Sequence, residues 1–262
     1  MIPAIDRLAV IVAMPSELQH LPGLPHVPEY GDTLWPSVAW QQGALEIVAV
    51  LSGIGMIRAA AATEATIDQQ RPDAVLNFGC TGAHQADVHV GDVIMSTRSV
   101  AHATMVIEPG GMARFDLHDG MEAPPPGATG LPSDPSLLSI ARAAAEGWMP
   151  DPWVAATGHN AHPQVLEGVV ASADVWTQAP EAISALVDRH QSLCEDMEAA
   201  AIATICSLHG VPFLTIKDIS NNELQQATIF DPGMAHLPEG EVGRRAAALT
   251  GRLIERIVSA ES

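Results

Sequence analysis

Positive charge is scarce in this chain of 262 residues: 12 lysines and arginines stand against 31 aspartates and glutamates, for a net charge of −19. Binding to a nucleic-acid backbone or an anionic membrane surface needs clustered cations, so the composition argues against both partners. Cysteine is scarce as well. The three cysteines contain no CxxC pair, which argues against a disulfide framework and predicts a reducing, cytoplasmic setting.

Several functional signatures are also missing. No apolar run approaches the roughly 18 residues of a membrane span, and the N-terminal segment lacks the basic flank of a signal peptide. The GxSxG motif that would indicate a serine hydrolase is absent from the sequence. The nearest approach to a metal site is His159 with His162, and no carboxylate stands at ligand spacing in that loop. We therefore expect neither a metal nor a cofactor.

Apolar segments of strand length alternate with helical segments along the chain. The predicted strands are Leu8–Met14, Leu34–Trp40, Leu45–Val50, Asp73–Phe78, Val90–Ser96, Val165–Ser172 and Val211–Ile219; the predicted helices are Gly55–Gln69, Pro135–Glu146, Ala179–Asp188, Met197–His209 and Gly240–Ser259. This alternation predicts one domain over 1–262, a three-layer α/β/α sandwich around a mixed, largely parallel sheet. The Gly- and Pro-rich stretch 108–135 is predicted to be a long excursion that serves a lid or an interface.

Ligands of such sheets gather at the carboxyl ends of the strands, so polar residues that follow strands are candidates for a site. Glu17 follows the first strand and is a candidate general acid or base, or an ordinary acidic residue in a first helical turn. Glu198 enters an uncharged, alanine-rich helix, where a carboxylate is costly unless it is paired or used. Cys80 is either a nucleophile or, more commonly in apolar surroundings, a packing residue.

Taken in order, these segments resemble the purine nucleoside phosphorylase superfamily and, within it, the 5′-methylthioadenosine/S-adenosylhomocysteine nucleosidases. The matching motifs are AMPSEL at 13–18, SGIG at 52–55, NFGCTGA at 77–83, VGDVIMS at 90–96, and DMEAAAIA…GVPFLTIKDISN from 196 to 221. The resemblance implies a nucleoside phosphorylase-like fold, a purine nucleoside as the small-molecule partner, and a homodimer or higher homo-oligomer.

The resemblance also assigns roles to individual residues. Glu17 takes the place of the carboxylate that activates water, and Glu198 that of the glutamate that holds the ribose hydroxyls. Asn221 stands where these nucleosidases have an aspartate that faces the purine. Further substrate-binding residues are expected at the sugar (Met14, Ile54, Met197), at the base (Trp176 by stacking, Thr177 by its backbone) and in the polar strand ends (Cys80, Thr81, Gly82, Ser220).

This sequence departs from the family pattern at two places. Asn77 replaces an arginine with which phosphorylases hold phosphate, and the loop 15–20 has no cation, so hydrolysis is favoured over phosphorolysis. Asn221 can donate a hydrogen bond to purine N7 but cannot transfer a proton. In the superfamily, asparagine at this position accompanies 6-oxopurines. Asp218 would be a substitute acid, although strand alternation places it on the other face of the sheet from Asn221.

The sequence therefore predicts a purine nucleoside N-ribosyl hydrolase that releases the free base and ribose or a 5′-modified ribose, with a preference for 6-oxopurines. A purine nucleoside phosphorylase and a methylthioadenosine/S-adenosylhomocysteine nucleosidase proper remain alternatives. A nucleoside-binding protein without catalysis is the third, and the presence of both Glu17 and Glu198 argues against it.

Overall fold

The computed structural model describes residues 5–31, 33–103, 105–107, 109, 113–115, 129–153, 162–228 and 240–260. The strands are β1 Arg7–Val12, β2 Ser37–Gln42, β3 Leu45–Leu51, β4 Ala74–Ala83, β5 Val93–Ala101, β6 Met105–Ile107, β7 Ala113–Phe115, β8 Leu131–Pro132, β9 Val165–Ser172, β10 Ser192–Asp196, β11 Phe213–Asn222 and β12 Ala227–Thr228. The helices are α1 Pro15–Leu18, α2 Met56–Gln70, α3 Pro135–Ala145, α4 Pro180–His190, α5 Ala199–His209 and α6 Arg244–Ala260.

The main sheet is mixed, and part of it closes on itself. Its strand order is β12-β11-β5-β9-β10-β4-β1-β3-β2, with β11 also paired to β4. Strands β1, β3 and β4 run parallel, as do β4 and β11, whereas β10 runs antiparallel to β4 and β5 antiparallel to β11. Because β4 is hydrogen-bonded to β1, β10 and β11, the ends of several strands lie close together around it.

Helices cover both faces of the sheet, as the alternation along β1 illustrates. Leu8, Val10 and Val12 pack with residues of α3 and α6, whereas Ala9 and Ile11 pack with residues of α2 and α5. All five side chains are buried. A strand that is apolar at every position is expected where both faces are covered. The predicted α/β/α sandwich around a mixed sheet is therefore confirmed.

Several element boundaries differ from the sequence prediction, and three of the differences affect the strand ends that the site residues occupy. Strand β4 was predicted to end at Phe78 but continues to Ala83, because β11 and β10 bond to the glycine-rich segment. Strand β10 was not predicted, since Ser192–Asp196 is largely polar. Helix α5 begins at Ala199 and not at Met197, so Glu198 is its N-cap residue. Strand β9 matches its predicted bounds, Val165–Ser172.

Two sequence predictions fall largely or partly on residues outside the described ranges. Most of the predicted excursion 108–135 lies outside them, and His159 of the candidate histidine pair does too. Within the ranges that are described, no helix is long and apolar enough to cross a membrane.

Candidate active site

A cavity of about 220 Å³ lies at the carboxyl ends of β1, β4, β9, β10 and β11. It is lined by Ala13, Met14, Glu17, Ile54, Cys80, Thr81, Gly82, Val175, Trp176, Glu195, Asp196, Met197, Glu198, Ser220 and Asn221. The structure thus brings together all the residues predicted for the site except Thr177. A larger groove beside α3 and β9 is more open and contains the Arg142–Glu167 ion pair, but none of the predicted residues.

Glu17 is held by main-chain donors at the wall of the cavity. The Cys80 N–H donates to its Oε1 (2.9 Å) and the Met14 N–H to its Oε2 (3.3 Å). A Cβ at Gly79 would lie 2.7 Å from Oε1, so only glycine leaves room for the carboxylate there. Burial raises the pKa of Glu17, against the lowering effect of the Lys217 ammonium and these hydrogen bonds. A carboxylate with a raised pKa and a fixed orientation is suited to accept a proton.

The side chain of Glu198 lines the cavity and accepts a main-chain N–H at the N-terminus of helix α2. Its Oε1 accepts the Gly55 N–H (2.9 Å), and Asp174 Oδ1 accepts the next one, from Met56 (2.7 Å). Burial raises the pKa of Glu198 to about 7; Lys217 lowers it, and Asp196 and Glu17 raise it further. Two main-chain donors at the start of α2, those of Gly55 and Met56, are therefore occupied by carboxylates of the chain itself.

A buried ion pair joins Asp196 of β10, at the cavity wall, to Lys217 of β11. Lys217 Nζ is 2.8 Å from Asp196 Oδ2, and both side chains are almost fully buried. Asp196 also accepts the Ser172 hydroxyl (2.5 Å) and the Ala199 N–H (3.0 Å), which ties β9 and the start of α5 to the pair. Carboxylates around Lys217 outweigh its burial and raise its pKa, so the ammonium stays charged.

The Lys217→Met variant is expected to lose about 3–5 kcal/mol of stability, because it leaves Asp196 as an unpaired buried charge. Urea denaturation measures the change. Arg142→Met is the matched control: its ion pair with Glu167 is half exposed, so the loss should stay within about 1 kcal/mol. Equal losses in the two variants would contradict a structural role for the buried pair.

Asn221 lies over Gly82 and has a defined amide orientation. Its Nδ2 donates to Glu223 Oε1 (3.0 Å), while the Ser220 hydroxyl lies 2.8 Å from its Oδ1. A carboxylate only accepts, so the contact with Glu223 places the NH₂ group on that side. One N–H is used by Glu223, and the other is available for a ligand acceptor.

Asp218 and Cys80 do not supply alternative reactive groups. Asp218 is not part of the cavity wall; it faces α6, where its Oδ2 accepts the Arg245 N–H (3.1 Å). The Cys80 thiol lies at the cavity, but burial and the nearby carboxylates of Glu17 and Asp218 raise its pKa well above the usual value. A thiol that stays protonated is a poor nucleophile, which favours the interpretation of Cys80 as a packing residue.

Two further residues from the sequence analysis, besides Asp218, lie outside the cavity wall. Thr177 donates both its backbone N–H (2.7 Å) and its hydroxyl (2.8 Å) to Glu195. Asn77 is buried within the sheet, where its amide donates to the Ile11 carbonyl and accepts from Thr215. Neither arrangement offers a free group to the cavity, and Asn77 in particular does not stand in for a phosphate-binding cation.

Four cavity residues were not predicted: Ala13, Val175, Glu195 and Asp196. The last two belong to β10, the strand that the sequence analysis missed. Their acidic run before α5 was the available signal, but it is equally typical of helix capping. Glu195 is buried, and His102 Nε2 lies 2.6 Å from its Oε1.

Comparison with known proteins identifies the family of this chain. The family model described as the phosphorylase superfamily matches residues 7–259. A 5′-methylthioadenosine/S-adenosylhomocysteine nucleosidase of Chromohalobacter salexigens is 30% identical over 219 residues, which covers 82% of this chain and 84% of that protein.

Solved structures share the fold along the whole chain. The nucleosidase of the same name from Neisseria meningitidis, in complex with methylthio-immucillin-A, has a TM-score of 0.69 at 24% identity and covers 97% of this chain and 99% of its own. The futalosine hydrolase of Helicobacter pylori has a TM-score of 0.70 at 20% identity and covers 97% and 98%. The chain therefore belongs to the phosphorylase superfamily and has the nucleoside phosphorylase-like fold.

Proposed function

We propose that this protein is a purine nucleoside hydrolase that cleaves the N-glycosidic bond to give the free base and ribose or a 5′-modified ribose. The observation that carries the proposal is the pair of buried carboxylates in one cavity, Glu17 and Glu198, each oriented by main-chain N–H groups. The relatives named as nucleosidases support the same reaction class.

The chemistry assigns a different task to each carboxylate. Departure of the base builds positive charge at C1′, and a water must attack the opposite face of the sugar, as in inverting glycosidases. Glu17, whose oxygens each accept one N–H and keep further acceptor capacity, takes the proton of that water. Glu198 accepts hydrogen bonds from the ribose hydroxyls, and its negative charge favours the cationic transition state.

Hydrolysis is favoured over phosphorolysis because the cavity lacks an anion site. None of its lining residues is lysine or arginine. The nearby ammonium of Lys217 is paired with Asp196, and the Gly55 and Met56 N–H groups at the start of α2 donate to Glu198 and Asp174. The cavity wall itself therefore offers phosphate no cation, and the first two N–H groups at the start of the helix are already occupied.

Product analysis tests the reaction type. The enzyme should release free base and ribose from a purine nucleoside at a rate that does not depend on phosphate. Strict phosphate dependence with ribose 1-phosphate as the product would establish a phosphorylase. Binding without base release from any purine nucleoside would instead establish a binding protein.

We further propose a preference for 6-oxopurine nucleosides, on the basis of Asn221. The Nδ2–H that is left over by Glu223 can donate to N7 and to the adjacent O6, both of which are acceptors in a 6-oxopurine. The Asn221→Asp variant can be protonated and should shift the preference towards adenine nucleosides. Base release from inosine and from methylthioadenosine measures the ratio; a parent enzyme that turns over methylthioadenosine hundreds of times faster would contradict the preference.

A methylthioadenosine/S-adenosylhomocysteine nucleosidase is the second candidate, and the names of the curated relatives favour it. The two candidates differ in the purine and not in the reaction. The same substrate panel therefore distinguishes them, since this activity requires methylthioadenosine as the better substrate.

A cytoplasmic homo-oligomer is the proposed state of the protein. Its three cysteines are all free, which suits a reducing compartment. Ile54, Val175 and Trp176 line the cavity and are about half exposed, and Ile57 on the first turn of α2 is 80% exposed. A second copy that covers these apolar side chains would also close the mouth of the cavity.

A further inference from the structure

Glu195 is a buried carboxylate at the cavity wall whose side chain is fixed from behind. The Thr177 N–H donates to its Oε2 (2.7 Å), the Thr177 hydroxyl donates to its Oε1 (2.8 Å), and His102 Nε2 lies 2.6 Å from Oε1. Burial disfavours the charged form, but these contacts outweigh it and hold the pKa of Glu195 below its usual value. The side chain is therefore an oriented, ionised acceptor in contact with the cavity.

The sheet register places Glu195 and Asn221 on opposite sides of Gly82. Gly82 of β4 is paired with Glu195 of β10 and with Asn221 of β11. Neighbouring strands lie about 4.8 Å apart, so the two backbones stand about 10 Å apart across a residue without a side chain. A Cβ at Gly82 would lie 3.1 Å from Asn221 Nδ2, so glycine keeps this surface open. A flat base bound over Gly82 would have one edge towards each of the two side chains.

The two edges of a purine differ in hydrogen-bonding character. If Asn221 donates to N7, the edge that carries N1 and C2 faces Glu195. A 6-oxopurine has an N1–H donor on that edge, and a 2-amino group adds a second donor. Adenine has a lone pair at N1 instead. An ionised carboxylate can only accept hydrogen bonds, so it attracts the first edge and repels the second.

We propose that Glu195 is a specificity-determining residue that accepts the N1–H of a 6-oxopurine, with His102 and Thr177 holding it in position. This inference rests on the proposed function, because it assumes that the cavity holds the base of a purine nucleoside. It adds a second, independent determinant to Asn221, at the other end of the base. A hydrogen bond to an ionised acceptor is stronger than one between neutral groups, so the effect on selectivity is large.

Calorimetric titration of the free bases tests the contact without requiring turnover. The parent protein should bind hypoxanthine at least about 10-fold more tightly than 1-methylhypoxanthine, whose N1 carries no hydrogen, and than adenine. Because this comparison changes only the ligand, it does not depend on how any variant folds. Equal binding of hypoxanthine and its 1-methyl derivative would overturn the proposal.

The Glu195→Gln variant tests the residue. Glutamine can donate to adenine N1, so the hypoxanthine-to-adenine binding ratio should fall by at least about 10-fold. The same fall is expected in kcat/KM for inosine relative to adenosine. Glu167→Gln, on β9 in an exposed ion pair outside the cavity, is the matched control and should leave the ratio unchanged. An unchanged ratio in folded Glu195→Gln would overturn the assignment.

The two proposals fail in distinguishable ways. Hydrolysis of adenine nucleosides in preference to 6-oxopurine nucleosides, with no effect of Glu195→Gln, would overturn the role of Glu195 and leave the nucleosidase intact. Selective binding of hypoxanthine that depends on Glu195, without cleavage of any nucleoside, would support the specificity contact and overturn the hydrolase.

Discussion

Replacing Glu17 with glutamine is expected to lower kcat for a purine nucleoside by at least about 100-fold while changing KM little, because the variant loses a general base and not a binding contact. The amide has nearly the same shape and can still accept one of the two main-chain N–H groups that hold the carboxylate. Steady-state base release measures both constants. Glu46→Gln, which alters only an exposed ion pair with Arg7, is the control and should keep the parent rate.

The pH dependence gives the same prediction a second readout. Glu17 must be ionised to take a proton from water, so kcat/KM should fall as the pH decreases through its pKa. Since burial raises that pKa from 4.5, the acid limb should lie above pH 4.5 in the parent. Glu198, whose pKa is raised to about 7, must also be ionised and gives an acid limb of its own. The residual activity of Glu17→Gln should therefore keep the limb of Glu198 and lose that of Glu17. A variant that keeps the parent rate, or both limbs, would show that another group is the base.

Sequence patterns predicted the parts of the fold that are uniform over several residues. The apolar core of β1 was predicted because an unbroken apolar run of strand length indicates burial on both faces. Strand β9 was predicted from the apolar residues on either side of Glu167 and Gly168. Strand β10 was missed because Ser192–Asp196 contains only two apolar residues. Its stability comes from pairing with β9 and β4 on either side, and no local pattern reports that pairing.

Prediction of the site was limited in the same way. The motif order indicated Glu17, Glu198 and Asn221, which do meet in one cavity. Lys217 appeared only as a polar residue in an apolar strand, because its partner Asp196 belongs to the unpredicted β10. Glu195 was likewise not predicted, since the residues that orient it, His102 and Thr177, are distant in sequence. Side chains whose environment is built by several strands cannot be assigned from their neighbours along the chain.

The Glu198→Gln variant is expected to lose about 100-fold in kcat/KM, since two charge-assisted hydrogen bonds to the ribose become neutral ones and the anion that favours the cationic transition state disappears. Both kcat and KM should change, which separates this variant from Glu17→Gln. Base release from a purine nucleoside at pH 8 measures the effect. Glu64→Gln, which changes an exposed contact with His209, is the control.

The Glu198→Gln variant is expected to be at least as stable as the parent, although it is less active. At pH 8 the parent holds an ionised carboxylate that burial disfavours, since the pKa of Glu198 is raised to about 7. The glutamine carbonyl can still accept the Gly55 N–H, and it carries no charge to desolvate. The variant should therefore unfold at the same or a higher urea concentration than the parent. A loss of activity together with a lower midpoint would mean that Glu198 supports the fold; a loss of activity at unchanged or higher stability would mean that its charge is retained for catalysis at a cost to stability.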